Sequence, residues 1–189
     1  GFPLNERIFT SLFQSVTPRT AGFNTIDLND LHETGQLMVI LLMLVGGSSG
    51  STAGGIKTVS VALLFLMSYS VLRNRKETVL FGRRIPQQQM ASAASIALLV
   101  SGLGLMGGMI LSATNGLALS DCLYESISAI CTVGLSTGIT AGLNLGSKIL
   151  LIVYMFFGRV GIMTISFAFM TKIPPDNAVR RPEARVLIG

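Results

Sequence analysis

Two short segments of glycine and hydroxyl-bearing residues are the part of this sequence best suited to binding an ion. Residues 20–25 read Thr-Ala-Gly-Phe-Asn-Thr, and residues 132–137, about 112 positions later, read Thr-Val-Gly-Leu-Ser-Thr. Glycine permits backbone angles that aim successive carbonyl groups at one axis, and carbonyl oxygens can replace the water shell of a cation. We therefore predict that these segments, named here the first string and the second string, line a pore.

The composition indicates a membrane setting. Hydrophobic residues make up 50% of the 189 positions and charged residues only 12%, with a mean hydropathy of +0.64, whereas a soluble domain carries about 25% charged residues. The basic residues behind the net charge of +5 lie in clusters beside apolar runs. We interpret them as topology signals and expect no nucleic-acid partner. Cys122 and Cys131 lie in or beside apolar segments, which predicts buried thiols.

Each string follows a short amphipathic segment and precedes a long apolar one. Apolar residues recur at helical spacing over residues 5–17, which at about 1.5 Å per residue is too short for the ~30 Å core of a bilayer. A second short helix is predicted over residues 119–131, and spans are predicted over residues 90–111 and 143–170. The first of these spans contains four glycines that suit close helix contact, namely Gly102, Gly104, Gly107 and Gly108.

The apolar region of residues 36–72 cannot form one continuous helix. Ten small residues interrupt it, namely Gly46, Gly47, Ser48, Ser49, Gly50, Ser51, Thr52, Ala53, Gly54 and Gly55. Most of these are poor helix formers, so we predict that the helix breaks there. Non-helical backbone at membrane depth persists only where protein or water satisfies it, so this 46–55 loop is predicted to border an aqueous pathway.

The charged segments predict the orientation of the chain. The basic clusters at residues 73–84 and 172–185 should both be cytoplasmic, so an even number of crossings separates them. The two predicted spans provide that number. Residues 119–140 must therefore dip into the membrane and return on the outer side. The same count puts the acidic segment 27–33 outside, where it is expected to face solvent.

One arginine interrupts the last predicted span. The offset of about 112 positions aligns Gly158 and Arg159 with Gly46 and Gly47, so Arg159 is expected at the depth where the break begins. A charged side chain inside a membrane is costly and usually functional. We interpret Arg159 as facing the pore, where its guanidinium can meet carbonyl and hydroxyl groups of the 46–55 loop. A structural clamp between helices is the alternative.

Four stretches of this sequence resemble the Trk/Ktr/HKT superfamily of potassium transporters. Residues 15–25 resemble the third pore loop of that superfamily, and the second string resembles its fourth pore loop. Residues 46–58 are similar to its intramembrane gating loop, and residues 158–161 are similar to its arginine-bearing last helix. The C-terminal residues 186–189 look most like the end of the Ktr membrane subunit.

The resemblance implies an all-α membrane protein, built from repeats of span, pore helix, filter loop and span around a pore, with a broken helix in repeat three. Residues 1–85 would be the third repeat without its first span, residues 86–171 the fourth repeat, and residues 172–189 a cytoplasmic C-terminal tail. Repeats one and two are missing from the sequence. We therefore expect the chain to be part of a longer protein and unable to close a filter by itself.

The implied function is potassium uptake across the bacterial plasma membrane, with no enzymatic activity and no covalent cofactor. K+ would be the transported ion, and Na+ is a candidate coupling ion. The implied partners are membrane lipid, a second copy of the chain in a homodimer, and a cytosolic nucleotide-binding regulatory ring. The preference for K+ over Na+ would depend on the missing first repeat.

The site residues implied by the resemblance form two groups. The filter is assigned to Thr20, Ala21, Gly22, Phe23, Thr132, Val133, Gly134 and Leu135, with K+ at Thr20, Gly22, Thr132 and Gly134. Gating is assigned to the ten residues of the 46–55 loop named above and to Arg159.

Three other functions compete with this one. Residues 50–58 faintly resemble a nucleotide-binding P-loop, but Ile56 separates the second glycine from the lysine and no strand precedes them. An intramembrane serine protease would need a base beside Ser48 or Ser49, whereas the only histidine, His32, lies in the acidic segment. A secondary transporter with a substrate site in the broken helix is the third, although it would not need duplicated strings.

Overall fold

The computed structural model describes residues 3–26, 28, 31–48, 50–51, 53–75, 78–80 and 82–160. The helices, in chain order, are α1 (Leu4–Val16), α2 (Glu33–Leu44), α3 (Thr58–Leu72), α4 (Gln87–Asn115), α5 (Leu119–Ile130) and α6 (Leu145–Val160). A hairpin is formed by β1 (Val79–Leu80) and β2 (Arg83–Arg84), and a short 3-10 helix by Ile139–Gly142. The predicted all-α class is confirmed. The predicted tail 172–189 lies outside the described residues.

Within the described part of the chain, α4 is the only helix that is long and apolar enough to span a membrane. Its 29 residues exceed the roughly 20 that the hydrocarbon core requires, and they contain the predicted span 90–111. Gly116, in the left-handed conformation with a φ of 66°, ends this helix. α6 is described only to Val160, so the rest of the predicted span 143–170 lies outside the described residues.

The glycine-rich side of α4 packs against α5. A Cβ placed on Gly108 would lie 2.9 Å from the α5 backbone, and one placed on Gly107 would overlap Ser126. The Ser126 hydroxyl donates to the Gly104 carbonyl at 2.8 Å. These small residues let the two helices approach closely. Gly102 differs, because a Cβ placed on it would have no atom within 4 Å, so its predicted packing role is wrong.

α1 and α5 are the short helices that precede the strings, and they cover the predicted ranges 5–17 and 119–131 to within one residue. Their surroundings differ. α5 lies at the centre of the described residues, and its residues 124–130 are all buried. α1 exposes its apolar face, with Ile8 54% and Phe9 73% accessible. The sequence predicted two equivalent helices, but only α5 is enclosed by this part of the chain.

The helix break lies between α2 and α3, within the run of small residues that predicted it. A parallel bridge between Val45 and Ile56 closes the base of the intervening loop. The Gly46 N–H donates to the Ile56 carbonyl at 2.8 Å, and the Ile56 N–H donates to the Leu44 carbonyl at 3.0 Å. These bonds satisfy backbone groups that the break would otherwise leave without partners.

The basic connector after α3 contains an antiparallel hairpin that the sequence analysis did not predict. Val79 pairs with Arg84 and Leu80 with Arg83. Two residues per strand are too few to produce a recognisable alternation of apolar and polar residues.

The acidic segment before α2 was expected to face solvent, and this is wrong for Leu28. Its side chain is only 1% accessible because it belongs to the hydrophobic core. His32 is exposed and caps α2, where its Nδ1 accepts from the Thr34 N–H at 3.4 Å. His32 therefore has the role of an ordinary helix cap.

Candidate functional site

The two strings meet at their glycines. A Cβ placed on Gly22 would overlap the Val133 carbonyl oxygen and lie 3.4 Å from the Gly134 Cα. A Cβ placed on Gly134 would lie 3.7 Å from the Gly22 Cα. The structure therefore brings the two repeat-related glycines backbone to backbone, and no side chain fits between them at Gly22.

Both strings adopt the same uncommon backbone conformation. φ is 66° at Thr20 and 73° at Gly22, and it is 53° at Thr132 and 90° at Gly134. Asn74 is the only other non-glycine among the described residues with a positive φ. For a β-branched residue this left-handed region costs about 1–2 kcal/mol. Left-handed residues that alternate with ordinary ones turn successive carbonyl groups toward one side of the chain, which is the arrangement a cation site uses.

Hydroxyl groups beside the strings hold the residue that follows each glycine. Thr17 Oγ1 donates to the Phe23 carbonyl at 2.6 Å and accepts from the Phe23 N–H at 3.0 Å. Ser128 Oγ donates to the Leu135 carbonyl at 2.6 Å. The carbonyl oxygens of Phe23 and Leu135 are therefore turned toward the supporting helix ends. Among the described residues, no hydrogen bond reaches the carbonyl oxygens of residues 20–22 and 132–134.

Glu125 supports the second string from α5 and is not among the site residues predicted from the sequence. Its side chain is 5% accessible. Its Oε1 accepts hydrogen bonds from the Ser136 hydroxyl and from the Thr137 N–H, the latter at 3.1 Å. The Ser136 hydroxyl in turn accepts from the Gly138 N–H at 2.9 Å. A carboxyl group in a short apolar helix was the available signal, because a buried carboxyl group needs hydrogen-bond donors.

Arg159 lies beside the second string. It lines a cavity of about 430 Å³ whose other walls include Glu125, Thr132, Gly134, Ser136 and Met155. The neighbouring Gly158 contacts the end of α5 and would have a Cβ 2.9 Å from the Thr132 methyl group. Arg159 and the second string therefore share one cavity. The predicted contact of its guanidinium with the 46–55 loop stays a prediction.

The 46–55 loop contacts the second string directly. The Gly54 N–H donates to Thr132 Oγ1 at 3.2 Å. A Cβ placed on Gly54 would lie 2.5 Å from both Thr132 Oγ1 and the Cys131 carbonyl oxygen, which is too close for any side chain. A Cβ placed on Gly55 would lie 3.2 Å from Cys131 Sγ. These contacts of Gly54 and Gly55 with Cys131 and Thr132 are named here the loop–string contact.

Lys57 binds the backbone of the loop just before the loop–string contact. Its Nζ donates to the Ser51 carbonyl at 3.1 Å and also to the Ala53 carbonyl. The loop therefore carries a positive charge bound to its own backbone oxygens. Two of the predicted gating residues, Ser49 and Thr52, lie outside the described residues.

Taken together, the described residues form a helical fold with a broken helix beside two glycine-centred strings. Residues 2–181 of the chain match the TrkH family, described as a cation transport protein. The chain belongs to this TrkH family, which confirms the superfamily resemblance that the strings and the loop indicated. Family membership also confirms the predicted membrane location.

Several relatives are similar to this chain over nearly its whole length. The potassium/sodium uptake protein NtpJ of Enterococcus hirae is 35% identical over 189 residues, which cover 97% of this chain and 42% of that protein. The Ktr system potassium uptake protein B of Vibrio alginolyticus is 38% identical over 180 residues, covering 95% and 39%. The Bacillus subtilis protein of the same name is 35% identical over 184 residues, covering 97% and 41%. The chain thus spans about two fifths of these relatives.

A solved structure supports the fold. The potassium transporter TrkH from Vibrio parahaemolyticus matches with a TM-score of 0.74 at 24% identity, over 93% of this chain and 39% of that one. The relatives described above are named as uptake proteins and not as enzymes, in agreement with the prediction that this chain is not an enzyme.

Proposed function

We propose that this chain supplies two adjacent sides of a cation filter in a longer protein that takes up potassium. The observation that carries the proposal is the meeting of two repeat-related strings, with the same left-handed positions, at Gly22 and Gly134. Two further repeats of the same protein supply the other sides. Enclosure by carbonyl oxygens on all sides replaces the water shell that the ion loses.

Of the eight filter residues assigned from sequence, six have carbonyl oxygens that are available to bind an ion. The carbonyl oxygens of residues 20–22 and 132–134 are the proposed ligands, because they accept no hydrogen bond within the described part of the chain. K+ is held at Thr20, Gly22, Thr132 and Gly134. Phe23 and Leu135 position the strings, because their oxygens are already bonded to Thr17 and Ser128.

The 46–55 loop and Arg159 are proposed to control access to this filter. The loop packs against the second string through Gly54 and carries the charge of Lys57, so it obstructs a cation both sterically and electrostatically. A cytosolic nucleotide-binding ring displaces the loop. This partner is supported by relatives named as parts of a Ktr system. The protein is a homodimer in the bacterial plasma membrane, with residues 73–84 and the C-terminus cytoplasmic.

The filter is tested by two matched pairs of glycine substitutions in the intact parent protein. Gly134→Ala and Gly138→Ala both put a side chain at a φ near 90°, and neither Cβ meets a steric clash. Gly22→Ala and Gly116→Ala form the second pair, which is matched in φ (73° and 66°) but not in packing, because only the Cβ at Gly22 would overlap a neighbour, the Val133 carbonyl oxygen. Each change costs about 1–2 kcal/mol of backbone strain, but only Gly22 and Gly134 lie in the strings.

The measurement is rubidium uptake by a bacterial strain without its own potassium uptake systems, with and without sodium, normalised to the amount of protein in the membrane. We expect Gly22→Ala and Gly134→Ala to reduce uptake at least tenfold or to admit sodium, and Gly116→Ala and Gly138→Ala to retain most of it. Equal uptake in both members of each pair would refute the filter. A requirement for sodium would support Na+ as the coupling ion.

A further inference from the structure

We propose that the loop–string contact couples the gate to the filter, so that displacement of the 46–55 loop changes the conformation of the second string. The proposal rests on the proposed function and adds a physical connection within it. The loop belongs to the third repeat and the string to the fourth, and Gly54 and Thr132 are 78 positions apart in sequence. One hydrogen bond therefore joins elements of two different repeats.

Thr132 is held from two sides. Its hydroxyl accepts from the Gly54 N–H at 3.2 Å. Its methyl group faces Gly158 of α6, where a Cβ would lie only 2.9 Å away. A threonine with a φ of 53° is strained and keeps that conformation only while its surroundings enforce it. Loss of the Gly54 contact therefore removes one constraint on the left-handed conformation of the second string, whereas the bond from the Thr132 N–H to the Ala129 carbonyl at 3.1 Å remains.

Within the part of the chain that the structure describes, no equivalent hydrogen bond reaches Thr20 of the first string. Thr20 has a similar φ of 66°, yet no hydrogen bond of its hydroxyl exists within the described ranges. Among the described residues, the loop is therefore hydrogen-bonded to the second string and not to the first. A change confined to the loop should then alter ion selectivity, which is a property of the filter.

Two cysteines allow the loop–string contact to be measured, Cys131 as the reporter and Cys122 as its control. Cys131 and Cys122 are both free and fully buried. Cys131 Sγ lies under Gly55 of the loop, whereas Cys122 lies nine positions earlier, near the start of α5. Displacement of the loop exposes Cys131 and leaves Cys122 buried.

The experiment uses the intact parent protein in membrane vesicles treated with N-ethylmaleimide. The rate of modification at each cysteine is measured by peptide mass spectrometry. Thr132→Val keeps the shape of the side chain and removes the hydroxyl, whereas Thr132→Ser keeps the hydroxyl. We expect Thr132→Val to raise the modification rate of Cys131 about two- to tenfold, the range for loss of one hydrogen bond. Thr132→Ser should retain the wild-type rate, and Cys122 should remain unmodified in both variants.

Gly54→Ala tests the same contact from the loop, because its Cβ must push the loop away from Cys131 and Thr132. Gly102→Ala, which meets no atom within 4 Å, is the matched control. We expect Gly54→Ala, and not Gly102→Ala, to raise Cys131 modification and to change the ratio of rubidium to sodium uptake at least twofold.

The outcomes separate the coupling from the proposed function. Unchanged Cys131 modification in both Thr132→Val and Gly54→Ala, in a protein that transports rubidium, would overturn the coupling and leave the filter standing. A matching rise at Cys122 would also overturn it, because general loosening would then explain the result. The expected labelling, together with absence of rubidium uptake in the unsubstituted parent protein, would support the contact and refute the proposed function.

Discussion

Replacement of Glu125 by alanine should weaken the second string more than any change of similar size elsewhere in α5. In the structure, one carboxyl oxygen of this buried residue accepts both the Ser136 hydroxyl and the Thr137 N–H. Alanine removes that acceptor from the buried Thr137 N–H and from the Ser136 hydroxyl, which borders the cavity of about 430 Å³. Both donors then lose a hydrogen bond that holds the end of the second string.

The expected magnitude follows from these two bonds. A buried donor that loses its acceptor costs about 1–3 kcal/mol, and this applies to the Thr137 N–H, whereas the partly buried Ser136 hydroxyl can donate to Thr140 Oγ1 at 3.2 Å. Glu125→Ala should therefore destabilise the protein by about 1–3 kcal/mol, out of the roughly 5–15 kcal/mol by which a typical domain is stable. Glu125→Gln retains an oxygen at the same place and should cost about 1 kcal/mol or less, because the carboxamide oxygen can accept the same two hydrogen bonds.

The assay is the thermal midpoint of the purified parent protein in detergent, paired with rubidium uptake in cells. Asp121→Ala is the control, since Asp121 is an acidic residue one turn earlier whose loss affects only the helix dipole, at about 0.3–1 kcal/mol. If Glu125→Ala matches Asp121→Ala, the support role is wrong. If Glu125→Gln is as damaging as Glu125→Ala, the charge matters and the hydrogen-bond acceptor does not.

Two further predictions concern the supports of the fold. Thr17→Val removes the hydroxyl that both donates a hydrogen bond to Phe23 and accepts one from it. We therefore expect this variant to lose selectivity for rubidium over sodium, whereas Thr17→Ser should keep it. Equal selectivity in the two variants would contradict the prediction. Gly107→Ala would drive a methyl group into the ring of Tyr154, so the thermal midpoint should fall by the equivalent of about 1–3 kcal/mol. Gly102→Ala meets no neighbouring atom and should be neutral or stabilising. Similar midpoints for the two variants would contradict the close packing of α4.

Much of the framework was predictable because it depends on local sequence. Apolar periodicity predicted α1 and α5, and the apolar run predicted α4, because helix formation and burial follow from neighbouring residues. The break between α2 and α3 was predictable from the run of small residues. The duplicated strings could be paired by comparison of the sequence with itself, and the structure brings Gly22 and Gly134 together.

The remainder depends on contacts between distant residues. Nothing local to Thr132 predicts that its hydroxyl accepts from Gly54, 78 positions earlier. Gly102 and Gly107 lie in the same glycine-rich helix, yet only the side of α4 that faces α5 gives a glycine a packing role. Leu28 is buried although its neighbours are acidic, because the tertiary fold covers that one side chain.

The left-handed threonines of the two strings have a consequence for how fast an ion can pass. In the proposed filter, the cost of bending the backbone at Thr20 and Thr132 is incurred once, when the protein folds. A cation that gives up its water then finds preorganised oxygens and need not order the chain as well. Entry and exit are therefore not slowed by repeated rearrangement of the backbone, which suits a site that must release its ion as readily as it binds it.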